Sequence, residues 1–266
     1  MKRWSEIGLF AVLACAMETA APSCADVPTP APPPLARGSV VDEPYEPLRG
    51  FERALRLGVG HLRPAREEDR DNWLDYVLMP LAAKPGEPIT MWLSGGWVVP
   101  VGGGTPRRVG VRGAVETGYE TVSLIVLEVN DAGWLHVRFA PGDEASSTAW
   151  LHVCDLERLR PRVVYEPWER LSAQKKISPL YFRTGGPRAL RRAPESGAER
   201  VAWIPAEGRK YAIEPLEFSG DWMRARLKAP SDYCAEPDVK PAIREGWVRW
   251  RDARLGPLLW YYTRGC

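Results

Sequence analysis

Two histidines and a cysteine are the residues whose types and spacing come nearest to a catalytic arrangement. His136 and His152 stand in matching contexts, Leu135-His136-Val137 and Leu151-His152-Val153, and Cys154 follows two residues after the second histidine. Residues two apart on a strand share a face, so His152 and Cys154 have the makings of a thiolate–imidazole pair. A reactive thiolate also needs a helix N-terminus or a cationic neighbour, and an orienting group behind the base. The sequence supplies neither, and paired histidines on an outward strand face read as surface residues. We therefore expect no enzyme. Metal and cofactor chemistry are not expected either. There is no CxxC spacing, the three histidines form no cluster, and Gly102-Gly103-Gly104 is followed by Thr105-Pro106 rather than by the Lys-Ser/Thr of a phosphate loop.

The other chemistry on offer is aromatic. Twelve Trp accompany 24 Gly and 26 Pro, a combination that suits short strands, tight turns and small cores filled by a few large rings. Rings left on the outside of such a sheet offer an extended ligand large contact area at little entropic cost. The candidates are Trp203, Tyr211, Trp222 and Trp247, with Trp134 and Trp150 earlier in the chain. Trp134 and Trp222 alternate with polar neighbours in a way that reads as core, whereas Trp203 and Tyr211 lie near turns. With 36 Lys+Arg against 34 Asp+Glu, the charge balance gives no case for nucleic acid.

The elements that carry these rings are hairpins. Trp134 to Phe139 and Trp150 to Cys154 alternate with period two around a Gly/Pro/Ser turn, the pattern of a half-buried hairpin. A looser copy follows: Ser219 to Leu227 matches the first strand and Gly246 to Asp252 the second, with a longer loop, Lys228 to Glu245, between them. The apolar run Thr121–Val129 is the best core strand, and Ile89–Val101 reads as a hairpin turned at Ser94-Gly95-Gly96. Arg200–Pro205, Arg209–Ile213 and Leu216–Phe218 read as short strands, and Leu258–Tyr262 as a closing one. Leu48, Phe51 and Leu55 recur at helical spacing. Asp71–Leu78 fits either a capped helix or a strand, with Trp73 and Tyr76 in the core.

At the N-terminus a basic start, Met1-Lys2-Arg3, precedes an apolar run from Ile7 to Met17, the build of a signal peptide. Two readings stand: cleavage after Ala25, or lipidation of Cys15 within Val12-Leu13-Ala14-Cys15. The Pro-rich stretch from Asp26 is an extended tether. Residues 1–25 are thus read as signal peptide, 26–44 as linker, 45–88 as an N-terminal segment of undetermined fold, 89–160 and 180–266 as two small barrels, and 161–179 as their connector. Cleavage leaves three cysteines and at most one internal bridge. Cys234, in a polar loop, and Cys266, the last residue, are expected to pair, with Cys154 a free thiol on an apolar strand.

The second unit resembles bacterial SH3 domains of the SH3b type in Leu190-Arg191-Arg192-Ala193-Pro194, in Gly220-Asp221-Trp222-Met223-Arg224-Ala225 and in Gly246-Trp247-Val248. The first unit matches in Gly133-Trp134-Leu135-His136-Val137 and Ala149-Trp150-Leu151, and departs from the pattern in its opening third. The resemblance implies an all-β chain of tandem SH3-like barrels, non-catalytic and common in exported envelope proteins, some of which bind peptidoglycan peptides. The expected partner is peptidoglycan or an envelope protein or peptide. The protein is expected in the periplasm or outside the cell, touching membrane only through a lipid on Cys15.

Overall fold

A computed structural model describes residues 55–108, 114–118, 121–140, 147–174, 180–183, 188–204, 212–229 and 242–261. The expected leader with Cys15, the Pro-rich linker, the helical pattern at Leu48 and Phe51, and Tyr211, Cys234 and Cys266 lie outside these residues. Those described are mostly β, arranged in open antiparallel sheets with two short helices.

The larger sheet takes ten strands from the first half of the chain. β1 (Gly60–Pro64) is followed by 3-10 turns at Glu67–Asp69 and Trp73–Asp75, then by β2 (Leu78–Ala82), β3 (Ile89–Ser94), β4 (Trp97–Pro100) and β5 (Arg107–Arg108). β6 (Ala114–Gly118), β7 (Thr121–Val129), β8 (Trp134–Arg138) and β9 (Thr148–His152) come next. The half closes with α1 (Val153–Leu156), β10 (Val163–Pro167) and α2 (Trp168–Ala173). The spatial order is β10-β1-β7-β8-β9-β2-β3-β4-β5, with β6 also on β7. β3 and β4 turn through Gly95 and Gly96, both at positive φ (53° and 76°). Two such residues give a two-residue hairpin loop the twist of its strands.

The second half contributes β11 (Tyr181–Phe182), β12 (Arg188–Arg191), β13 (Arg200–Ile204), β14 (Ala212–Ser219), β15 (Trp222–Ala229), β16 (Ala242–Arg249), β17 (Arg251–Asp252), β18 (Gly256–Pro257) and β19 (Leu259–Trp260). Five of them form a sheet in the order β13-β12-β16-β15-β14, while β11 pairs with β19 and β17 with β18.

The two halves share β7. Val122, Leu124 and Val126 enter one core, with Trp73, Met79, Leu135, Val137, Phe139 and Leu151. Ile125 and Leu127, on the opposite face, enter a second core with Trp168, Leu190, Ile213, Met223, Val248, Trp250 and Trp260. A strand buried on both faces has no polar side to show, which is why Thr121–Val129 reads as a continuous apolar run rather than an alternation. Further ties cross the same boundary. The Leu57 N–H donates to the Leu255 carbonyl (2.8 Å), and the Tyr261 hydroxyl to the Thr117 carbonyl (2.9 Å). The buried Arg183 guanidinium donates to the carbonyls of Pro257 (2.7 Å) and Leu55 (2.6 Å). Gly256 packs so closely on Gly58 that a Cβ there would lie 2.3 Å from the Gly58 carbonyl oxygen.

Several expectations are corrected. Val163–Pro167, expected in a connector, is β10 and pairs along β1 from Gly60↔Pro167 to Pro64↔Val163. Trp168 and Leu171 of α2, in the same expected connector, are core. The first sheet likewise begins at β1, upstream of residue 89. Asp71–Leu78 is neither one helix nor one strand: a single 3-10 turn buries Trp73, and Leu78 already opens β2. Tyr76 is not core. It is 52% exposed, its hydroxyl donating to the carbonyls of Asp69 and Asp71, both at 3.1 Å. Cys154 is not on a strand but in the first turn of α1, half-buried.

Candidate functional site

The two meanders β7-β8-β9 and β14-β15-β16 place their Trp residues at matching register. In the first, Trp134 lies opposite His152 and Trp150 opposite His136. In the second, Trp222 lies opposite Arg249 and Trp247 opposite Arg224. Alternation explains the facing. Leu135, Val137, Ala149 and Leu151 fill the first core, as Met223, Ala225 and Val248 fill the second, so the residues between them turn outward. Each meander thus shows a checkerboard of two Trp and two nitrogen bases. Gly246, just before Trp247, is required by packing, because a Cβ there would lie 2.7 Å from Leu190 and 2.8 Å from the Arg191 carbonyl.

The rings on these faces are half-buried rather than sequestered. His136 stacks on Trp150 with centroids 4.5 Å apart and planes 5° from parallel, and Trp134 meets His152 edge-on at 5.1 Å. Trp134 and Trp222 therefore stand on outer faces, contrary to the reading of both as core. Neither belongs to a buried cluster, and the core Trp of this region is Trp250, whose indole N–H donates to the Gly220 carbonyl (2.9 Å). Trp203 is the most open of the described candidates, 53% exposed on β13, with the Arg200 guanidinium 4.7 Å from its ring centre.

The His152–Cys154 pair has a structural role. The His152 Nδ1 accepts the Cys154 backbone N–H (3.3 Å), capping α1, which leaves its Nε2–H to donate to the Ala132 carbonyl (2.9 Å). Cys154 is disulfide-bonded. This overturns the expectation of a free buried thiol there and leaves no thiolate beside His152. The physical reason is the helix turn, which carries the sulfur off the apolar strand face. Among the described residues, no group of three or more His, Cys, Asp or Glu side chains is placed to hold a metal ion.

The strongest electrostatic feature lies elsewhere, between β1 and β10. Glu166, 2% exposed, accepts hydrogen bonds from His61 Nε2 (3.2 Å), Arg63 Nε and Nη2 (2.8 and 3.2 Å) and Gln174 Nε2 (3.2 Å), with Arg170 at 3.5 Å. Burial opposes the charged carboxylate, but the hydrogen bonds from His61 and Arg63 outweigh it and hold the pKa down at about 2. His61 is fully buried, and burial drives its pKa below the ordinary value against the pull of Glu166. A charged group with this many donors is satisfied and rigid, which marks it as scaffold. Its members span more than 100 positions, so no local spacing signals it.

No family model matches the chain, and no curated protein sequence matches it.

Proposed function

We propose that this chain is an exported, non-catalytic binding or scaffold protein of the bacterial envelope, carrying two SH3-like units that recognise peptide or peptidoglycan on their outer faces. The observation that carries the reading is the repeated checkerboard. Trp134/His152 and His136/Trp150 recur as Trp222/Arg249 and Arg224/Trp247 at equivalent cross-strand positions. Packing alone asks for the inward residues of these strands and is indifferent to four outward Trp. Half-exposed rings beside cations or imidazoles suit ligands with both an apolar face and polar or acidic groups.

Two further features support the setting. The disulfide at Cys154 suits an oxidising compartment, and the basic start, apolar run and Pro-rich tether suit export. The three-stranded meanders β7-β8-β9 and β14-β15-β16, each paired along its last strand with an earlier strand (β2 on β9, β12 on β16), suit the SH3-like resemblance. Co-sedimentation with purified cell-wall sacculi tests the reading. The wild-type chain is expected to pellet with sacculi, and Trp150→Ala and Trp247→Ala to pellet less. Absence of co-sedimentation across a range of salt removes the wall version.

A further inference from the structure

The five-stranded sheet carries an unbalanced row of charge at one end. Following the registers outward from β14, Glu217 faces Arg224, Arg224 faces Trp247, Trp247 faces Arg191, and Arg191 faces Arg200. Leu190 points into the core, so Arg191 points out, and Arg200 is exposed. On the β14–β15–β16 side the cations are answered. Glu245 receives Arg224 (3.4 Å) and Arg226 (2.9 Å), and Glu214 receives Arg226 (3.3 Å) and Lys228 (3.6 Å). On the β12–β13 side they are not. Arg191 donates to the Ala198 carbonyl (2.6 Å) and Arg200 lies over Trp203, and neither has a carboxylate partner among the described residues. Glu199, next to Arg200 in the chain, is taken by Arg192 (2.9 Å).

Like charges directly opposite on adjacent strands cost stability, and two guanidinium forks at cross-strand distance match a carboxylate in geometry as well as charge. β13 also ends the sheet order, with Val201 and Trp203 exposed on it. An edge strand offers unpaired backbone groups that a peptide, and not a glycan, can answer by extending the ladder. We infer that Arg191 and Arg200, with Trp203 and Trp247 on either side, form a docking site for an extended acidic peptide, whose carboxylates take the two guanidinium groups. This rests on the envelope-binding reading above and gives that reading a ligand class.

The test uses the full chain and fluorescence anisotropy with three labelled probes: a ten-residue peptide of alternating Glu and Thr, its Gln-for-Glu counterpart, and a ten-nucleotide deoxythymidine strand. The Glu peptide is expected to bind at least about tenfold more tightly than the Gln peptide. Arg191→Gln and Arg200→Gln are each expected to lose about tenfold in that affinity, and Arg192→Gln to leave it unchanged. Arg200→Gln is also expected to melt no lower than wild type, since it removes a like-charge opposition. Equal binding of the two peptides, full affinity in both arginine variants, or tighter binding of the oligonucleotide overturns the inference. Sacculi binding measured in parallel separates the two claims. Sacculi binding without Glu/Gln discrimination sinks the acidic-peptide site alone, and discrimination without sacculi binding sinks the wall reading alone.

Discussion

His61 lies flat against Trp168, ring centroids 4.6 Å apart and planes 2° from parallel, while its Nε2 reaches Glu166 on the neighbouring strand. The imidazole is thereby held between an apolar plate and a buried carboxylate. Trp168 is fixed in turn by its indole N–H to the Leu57 carbonyl (2.6 Å) and by an edge-on contact with Trp260 at 5.1 Å. One buried histidine–carboxylate hydrogen bond thus sits where β1, β10, α2 and the C-terminal segment meet.

Acid is expected to loosen this junction. His61 has a lowered pKa in the fold, so its contribution is present above the unfolded value near 6.5 and is lost as pH falls below it. Glu166 is held at about 2 against an ordinary 4.5, so its contribution is lost as pH falls from about 4.5 towards 2. Both act in one direction, and thermal midpoints measured from pH 7.5 downward should fall in two stages. His61→Gln should flatten the upper stage. Glu166→Ala leaves Arg63 and His61 without their acceptor and should cost about 3–5 kcal/mol at neutral pH, read by urea unfolding.

Gly256→Ala should destabilise by more than Gly86→Ala. Both glycines have positive φ, 77° and 79°, so both variants carry about 1–3 kcal/mol of backbone strain. A Cβ at Gly86 meets nothing within 4 Å, whereas at Gly256 it would strike the Gly58 backbone at 2.3 Å. Equal losses of stability in the two variants would show that the Gly58–Gly256 approach is not tight.

Trp203→Ala and Trp250→Ala should separate binding from folding. Trp250 is 2% exposed and packs edge-on against Phe218 at 5.0 Å, so its truncation should cost about 3–5 kcal/mol. Trp203→Ala should change stability by no more than about 0.5 kcal/mol while weakening retention on sacculi. Chemical denaturation alongside co-sedimentation reads both.

Reduction should lower stability through Cys154. Removing a native disulfide commonly costs about 2–5 kcal/mol in small exported domains, so Cys154→Ser and dithiothreitol are each expected to lower the thermal midpoint. Dithiothreitol should add nothing to the variant if this is the one bridge present. Non-reducing peptide mapping names the partner cysteine, and a free thiol at Cys154 would contradict the bond.

What the sequence determined by itself is local. Period-two alternation located β8, β9, β15 and the Gly246–Arg249 end of β16, whereas Lys228–Ala229 and Ala242–Glu245, expected in the loop, extend the β15–β16 ladder. Gly95-Gly96 marked a two-residue turn, and the dense apolar run located β7. Strand pattern and turn chemistry depend on neighbours a few residues away, so they are legible in one dimension. The repeated Trp spacing was legible too, and it pairs the two meanders correctly. Which way those Trp face was not: Trp134 and Trp222 turned outward, because Leu135 and Met223 beside them supply the core. Tertiary structure alone decided that Val163–Pro167 pairs with a strand about a hundred residues earlier, that β7 serves two cores, and that His61 meets Glu166. It alone set Arg191 opposite Arg200, since a one-residue slip in register would send every side chain of β13 to the other face. Each of these is fixed by long-range register and by the filling of a shared core, quantities that no window of neighbouring residues contains.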